Sequence, residues 1–86
     1  MQLILEQSFI KSSEKLPQPI KLKLAKLLEL LEERPQHPLL HTKSLKGDLR
    51  GFFSFRITRE WRVIFYFKDS NTLHLLKAVH RKEAYR

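Results

Sequence analysis

An α+β domain, in which an antiparallel sheet carries a helical hairpin on one face, is predicted by three observations on these 86 residues. Phe52 to Phe67 reads FFSFRITREWRVIFYF. Every second residue separates Phe53, Phe55, Ile57, Trp61, Val63, Phe65 and Phe67 from Ser54, Arg56, Thr58, Arg62, Ile64, Tyr66 and Lys68. That is the period of a strand, twice over. From about Gln18 to Arg34, Ile20, Leu24, Leu27, Leu28 and Leu31 fall in one stripe at helical spacing. Thr72 to Val79 reads as a further strand, entered through the turn signal of Asp69, Ser70 and Asn71. The order is then strand, helix, helix, strand, strand, strand. Helices cover the apolar set, and Arg56 and Arg62 stand on an uncovered face where a partner would bind.

Gln2 to Glu6 reads as the short first strand, with Leu3 and Leu5 on one side and Ile4 on the other. Ser8 is placed to cap a short helix through Phe9, Ile10 and Leu16, which Pro17 and Pro19 interrupt. On the second helix Leu22 points away from the apolar stripe, so it either meets the first helix or belongs to an exposed contact surface. Its lysines come early and Glu29, Glu32 and Glu33 late, against the helix dipole, so packing must hold it. Pro35 ends this helix, and the connection to Gly51 is marked as turns by its prolines, its glycines and Asp48. Arg59 and Glu60 offer neither Gly nor Asn for a tight two-residue hairpin, which predicts a longer loop over Thr58 to Trp61. The tail from His80 to Arg86 is short and basic.

A chain of this length is expected to form one domain over residues 1–86. Its formal net charge of +8 predicts attraction to polyanions: nucleic acid, an acidic protein or an anionic membrane surface. The absence of cysteine removes disulfides and thiolate chemistry and fits a reducing compartment. No apolar run reaches membrane-spanning length and the start lacks a secretory pattern, so a cytoplasmic protein without a membrane role is expected. His37, His41, His74 and His80 are scattered without metal-ligand spacing, and no phosphate-cradling glycine loop or nucleophile elbow is present. No cofactor is expected.

What remains is a set of cations, an imidazole, a phenol and aromatic rings: Lys43, Lys46, Arg50, Arg56, Arg59, Glu60, Trp61, Arg62, His80, Arg81 and Tyr85. Such a set suits RNA, because cations hold phosphates, rings stack on bases and acid–base groups act on the 2′-hydroxyl. Each member also has a plainer role. Arg56 and Arg62 can be solvated or paired with Glu60 or Asp69, Trp61 is in phase with the core residues Val63 and Phe65, and Tyr85 can anchor the tail. His80 continues the phase of His74, Leu76 and Ala78, which would bring it out at the sheet end near the arginines.

The segments LKGDLRG, SFRITREWRVIFYF and AVHRKEAY together resemble the RelE/ParE toxin superfamily of bacterial toxin–antitoxin systems. The resemblance implies a small α+β toxin neutralised by a cognate antitoxin, here an acidic one in a hetero-oligomer. In the RelE branch it implies a metal-independent endoribonuclease that cuts mRNA in the ribosomal A site. It assigns Arg62 to the scissile phosphate, His80 and Tyr85 to acid–base work or substrate placement, and Arg56 and Arg81 to basic positions beside them. Glu60 adjoins Arg62 where some relatives are acidic. Lys43 and Lys46 fall in a loop that supplies catalytic or phosphate-binding groups, with lysine at 43 where one branch has a glutamate base. Arg50 and Arg59 add phosphate-binding charge, and Trp61 is the base-stacking candidate. A ParE-like inhibitor of DNA gyrase and a degenerate basic binding module are the alternatives.

Overall fold

The structure, a computed structural model, describes residues 1–83. Strand β1 (Gln2–Leu5) leads into helices α1 (Gln7–Glu14) and α2 (Gln18–Glu33). The sheet then continues through β2 (Lys43–Ser44), β3 (Phe53–Arg56), β4 (Trp61–Asp69) and β5 (Thr72–His80). The strand order is β1-β5-β4-β3-β2, so the first and last strands are neighbours. β1 pairs parallel with β5, whereas β2 to β5 run antiparallel. The sheet is therefore mixed rather than wholly antiparallel. A parallel pair needs a long crossover, and the whole chain between Leu5 and Thr72 supplies it, which no local pattern announces. The two-residue edge strand β2 lies inside the connection expected to be turns alone.

The helix-facing side follows the alternation of the sequence. Phe55, Ile57, Val63, Phe65, Leu73 and Leu75 are buried beneath Phe9 of α1, Leu24, Leu27 and Leu31 of α2, and Leu40. Phe53, Phe65 and Phe67 pack as a ring cluster with centroids 5.3 to 5.7 Å apart. Leu22 is exposed, as one of its two readings had it. α2 has no acidic residue in its first turn and no basic residue in its last, so its dipole is uncompensated and the apolar stripe holds it in place.

The opposite side is not open. Ser54 and Val79 are almost fully buried although their register places them with Arg56 and Arg62. Leu49 shares a cavity of about 310 Å³ with Ile64, Leu76 and Val79, and the Phe52 ring meets Tyr66 edge-on at 6.0 Å. The segment from Leu45 to Phe52 folds back over this side because it carries its own apolar residues. It turns at Gly47 and Gly51, whose φ values of 65° and 95° suit glycine.

Helix α1 is fastened to β5 by side chains. Glu6, not Ser8, is its N-cap residue, and no side chain caps it. Ser8 lies inside the helix and its hydroxyl donates to the Leu76 carbonyl, while the Ser12 hydroxyl accepts from the Ala78 N–H at 2.9 Å. Below them the Glu6 carboxylate meets His74 Nδ1 at 2.6 Å. Where β1 stops, two serines of α1 take over the edge of β5. Among the described residues no helix is long and apolar enough to cross a membrane.

Removing the Ser12 hydroxyl strands a buried backbone donor, so Ser12→Ala should lower unfolding free energy by about 1–3 kcal/mol. Ser13→Ala, which loses only a bond to Ile10 within the helix, should stay within about 0.5 kcal/mol. Urea midpoints of the two variants make the comparison. At the β4–β5 turn the Asn71 N–H donates to Asp69 at 2.8 Å, and that bond to the charged form holds the Asp69 carboxyl below its ordinary value. A lowered folded-state pKa stabilises the fold above the unfolded value and loses that contribution as pH falls through the folded one. Asp69→Asn should therefore flatten the thermal midpoint against pH below about pH 4.

Candidate functional site

At one end of the sheet the last residue of β5 meets the first of β4. Trp61 and His80 are cross-strand partners, with their rings edge to face at 5.2 Å. The loop before Trp61 closes with the Ile57 and Thr58 N–H groups on the Trp61 carbonyl, which makes the longer connection expected for this hairpin. It presents Glu60 to the imidazole: His80 Nε2 lies 3.1 Å from Glu60 Oε2. After β5 the chain turns sharply, with the Arg81 N–H on the Glu60 carbonyl at 2.7 Å and the Glu83 N–H on the His80 carbonyl at 2.8 Å. The Lys82 N–H donates to His80 Nδ1 at 3.2 Å. An imidazole nitrogen that accepts an N–H carries no proton, so the neutral ring is the Nε2–H tautomer donating to Glu60. Arg81 Nε stands 3.7 Å from the same carboxylate oxygen. Glu60 thus pairs with His80 and Arg81, not with Arg56 or Arg62.

The arginines lie on the other side of the sheet. Arg56 sits directly across from Arg62, and Arg62 across from Val79, whereas His80 shares its side with Trp61, Val63 and Ala78. His80 therefore does not continue the phase of His74, for a physical reason. Pairing steps from Ile64 with Lys77 to Phe65 with Leu75, leaving Leu76 as an extra residue on β5. That bulge slips the alternation by one, so His74 faces the arginine side and His80 the helix side. Two guanidinium groups directly opposite each other repel. Among the described residues neither has an ion-pair partner, and the Nε atoms of both are buried without a hydrogen bond. This is an arrangement that a bridging anion would relieve.

The other predicted residues are dispersed. Lys43 and Lys46 line a cavity of about 370 Å³ with Ser44, Leu45 and Leu49. Arg50 is exposed after the following turn, and Arg59 shares a cavity of about 240 Å³ with Lys23, His41 and Arg56. Trp61 is half-buried against the core, with its edge toward His80. Tyr85 lies outside the described residues. Among the described residues no three of His, Asp and Glu form a metal-sized cluster.

Sequence reasoning missed the lysines beside His80. A groove of about 430 Å³ between α1 and the end of β5 is lined by Lys11, Lys15, Leu16, Trp61, Lys77 and His80. Lys11 and Lys15, four residues apart at the end of α1, are neighbours on one helix face, and that spacing is the signal that was present.

No protein-family model matches the chain, and no curated protein sequence matches it. Solved structures do. A YoeB/ParE toxin from Agrobacterium tumefaciens is 25% identical with a TM-score of 0.78, over 94% of this chain and 99% of that one. The toxin–antitoxin complex RelBE2 from Mycobacterium tuberculosis matches at 23% identity and TM-score 0.77, over 93% and 96%. YafQ from Escherichia coli matches at 16% and 0.80, over 99% and 98%.

The hydrogen-bonding frame makes a spectroscopic prediction. In long-range ¹H–¹⁵N spectra of the neutral ring, His80 should appear as the Nε2–H tautomer. Glu60→Gln should keep that tautomer, because the Lys82 N–H remains to hold Nδ1. A dominant Nδ1–H form would contradict the frame.

Proposed function

We propose, from the RelE/ParE toxin fold that this chain carries, that it is the toxin of a toxin–antitoxin system and acts as an endoribonuclease on mRNA. The observation that carries this reading is the sheet end itself. Two cross-strand arginines without anionic partners stand on one side, and an imidazole hydrogen-bonded to a carboxylate stands on the other.

RNA cleavage of this kind needs three things. The 2′-hydroxyl loses a proton as O2′ bonds to phosphorus, the extra charge on the phosphate is stabilised, and O5′ gains a proton as the P–O5′ bond breaks. Arg62, with Arg56 beside it, holds phosphate oxygens from the far side of the sheet end, and Arg81, beside Glu60, those nearest the imidazole, through charge-assisted hydrogen bonds. The His80–Glu60 pair takes the 2′ proton and returns a proton to O5′. The products are a 2′,3′-cyclic phosphate and a 5′-hydroxyl, and the proton count closes. Glu60 holds His80 at 3.1 Å, and Arg81 adds charge beside the pair. Tyr85 is assigned to nucleotide placement, and Lys43, Lys46, Arg50 and Arg59 to the outlying phosphates. The ribosomal A site is the proposed place of cutting, and an acidic antitoxin the proposed inhibitor, drawn to a chain of net charge +8. The archaeal RelE–RelB complex from Pyrococcus horikoshii and the YoeB–YefM complex from Staphylococcus aureus give that partner its structural precedent.

Induction of the chain alone, with RNA 5′ ends mapped across the transcriptome, tests the reading. Cuts within translated frames are expected. Arg62→Ala should lower cleavage by about 10²–10³-fold and His80→Ala by about 10²–10⁴-fold, with both variants folded. Growth arrest with intact mRNA would overturn the nuclease and move the case to DNA gyrase inhibition, to be read by a supercoiling assay.

A further inference from the structure

We infer that the groove between α1 and the end of β5 is a second phosphate-binding subsite. It takes nucleotides flanking the scissile bond as a single-stranded RNA rounds the end of the sheet. This rests on the nuclease reading and names a part of the substrate path which that reading leaves open.

The bulge at Leu76 sets the path. It puts His80 on the helix side and Arg56 and Arg62 on the other, so one strand that reaches both groups must pass around the sheet end. On the helix side it enters the groove whose walls include Trp61 and His80. The charge there has the right sign. Lys11 and Lys15 stand one turn apart on α1, and Lys77, set by its pairing with Ile64 on the arginine side of β5, lines the groove from the strand edge; all three are exposed, and none has an ion-pair partner among the described residues. Glu83 is the one acidic residue among those lining the groove. The C-terminal end of α1 carries partial negative charge, so an anion here is held by the ammonium groups rather than by the helix.

The shape of the groove separates RNA from an acidic peptide. Its volume of about 430 Å³ lies in the range of small-ligand sites, and much of its wall is apolar, from Leu16, Ala78 and the Trp61 ring. Cations over an apolar, aromatic floor match a nucleotide, with phosphate above and base below. Ammonium groups are also mobile point charges, suited to a backbone of variable sequence.

The chain contains a single tryptophan, Trp61, and it lines the groove, so its fluorescence reports occupancy. The probe is a short 2′-O-methyl oligouridylate, which cannot be cut because its 2′ oxygen is blocked. Titration into the intact chain should change Trp61 emission saturably. The K11Q/K15Q/K77Q variant should bind roughly tenfold or more weakly, and its plot of log affinity against log salt should be shallower by about 0.7 for each phosphate left without a lysine. Exposed lysines are safe to replace, and an unchanged thermal midpoint verifies it.

Equal affinity and equal salt slope in wild type and variant overturn the subsite. Displacement of the probe by polyglutamate at equal ionic strength, with comparable affinity and the same sensitivity to the three substitutions, overturns the RNA assignment in favour of an acidic protein segment. The two readings fail separately. A chain that cuts mRNA while the triple variant cuts with an unchanged KM loses the groove alone. A chain that cuts nothing yet binds the probe through these lysines loses the nuclease alone.

Discussion

A surplus residue midway along the pairing of β4 with β5 is the constraint on which the rest of this molecule depends. Leu76 belongs to β5 but has no partner across the ladder, and from it the alternation of the last strand runs out of step with its first half. Below the bulge Leu73 and Leu75 point into the core; above it Ala78 takes the same direction, so the strand buries apolar residues along its whole length. The carbonyl that the bulge releases is bonded by Ser8, and the Ala78 N–H beyond it by Ser12. A backbone irregularity that would leave polar groups stranded is thereby the docking point of α1. The same slip sends His80 toward Trp61 and away from Arg62.

Much of the architecture was legible because it rests on local periodicity. The alternation from Phe53 to Phe67 gives two strands and the correct core-facing set, and the leucine stripe from Ile20 to Leu31 gives α2 within a residue. The longer hairpin loop at Thr58 to Trp61 followed from the absence of Gly and Asn at its tip. Three features had no local signature. The parallel pairing of β1 with β5 depends on contacts across nearly the whole chain. The two-residue β2 is too short to show any period. The bulge at Leu76 lies in the run Leu75-Leu76, where two adjacent leucines mask the change of phase. Period-two reasoning carried through that point put His80 on the wrong side, although Arg56 and Arg62 were placed correctly as partners on one face.

For the site, residue types were legible and groupings were not. Glu60, His80 and Arg81 were all singled out, but their convergence depends on the Arg81 N–H closing onto the Glu60 carbonyl, a contact between a hairpin loop and the chain beyond β5. The side taken to be uncovered is roofed by the segment from Leu45 to Phe52, because leucines and a phenylalanine in a turn-rich stretch seek the same burial as those in strands. Lys46 therefore rises from a covering flap, whereas Lys43 lies on the exposed edge strand β2.

Two electrostatic arrangements at the sheet end differ in kind, and the difference bears on how a substrate would meet them. Glu60 and His80 are hydrogen-bonded to each other, and a backbone N–H fixes the second ring nitrogen, so this pair is ordered before anything binds. Such preorganisation is what acid–base chemistry requires, since the groups need not reorient during the reaction. Arg56 and Arg62 are the reverse: like charges face to face, their Nε atoms desolvated without partners. That repulsion is tolerated because the apolar face behind it holds both strands, with Phe55 and Val63 fully buried as the next cross-strand pair along the same ladder. Core packing thus sustains a charge arrangement that electrostatics alone would disperse. An anion bound between Arg56 and Arg62 would gain the attraction of both cations and give their buried Nε atoms an acceptor.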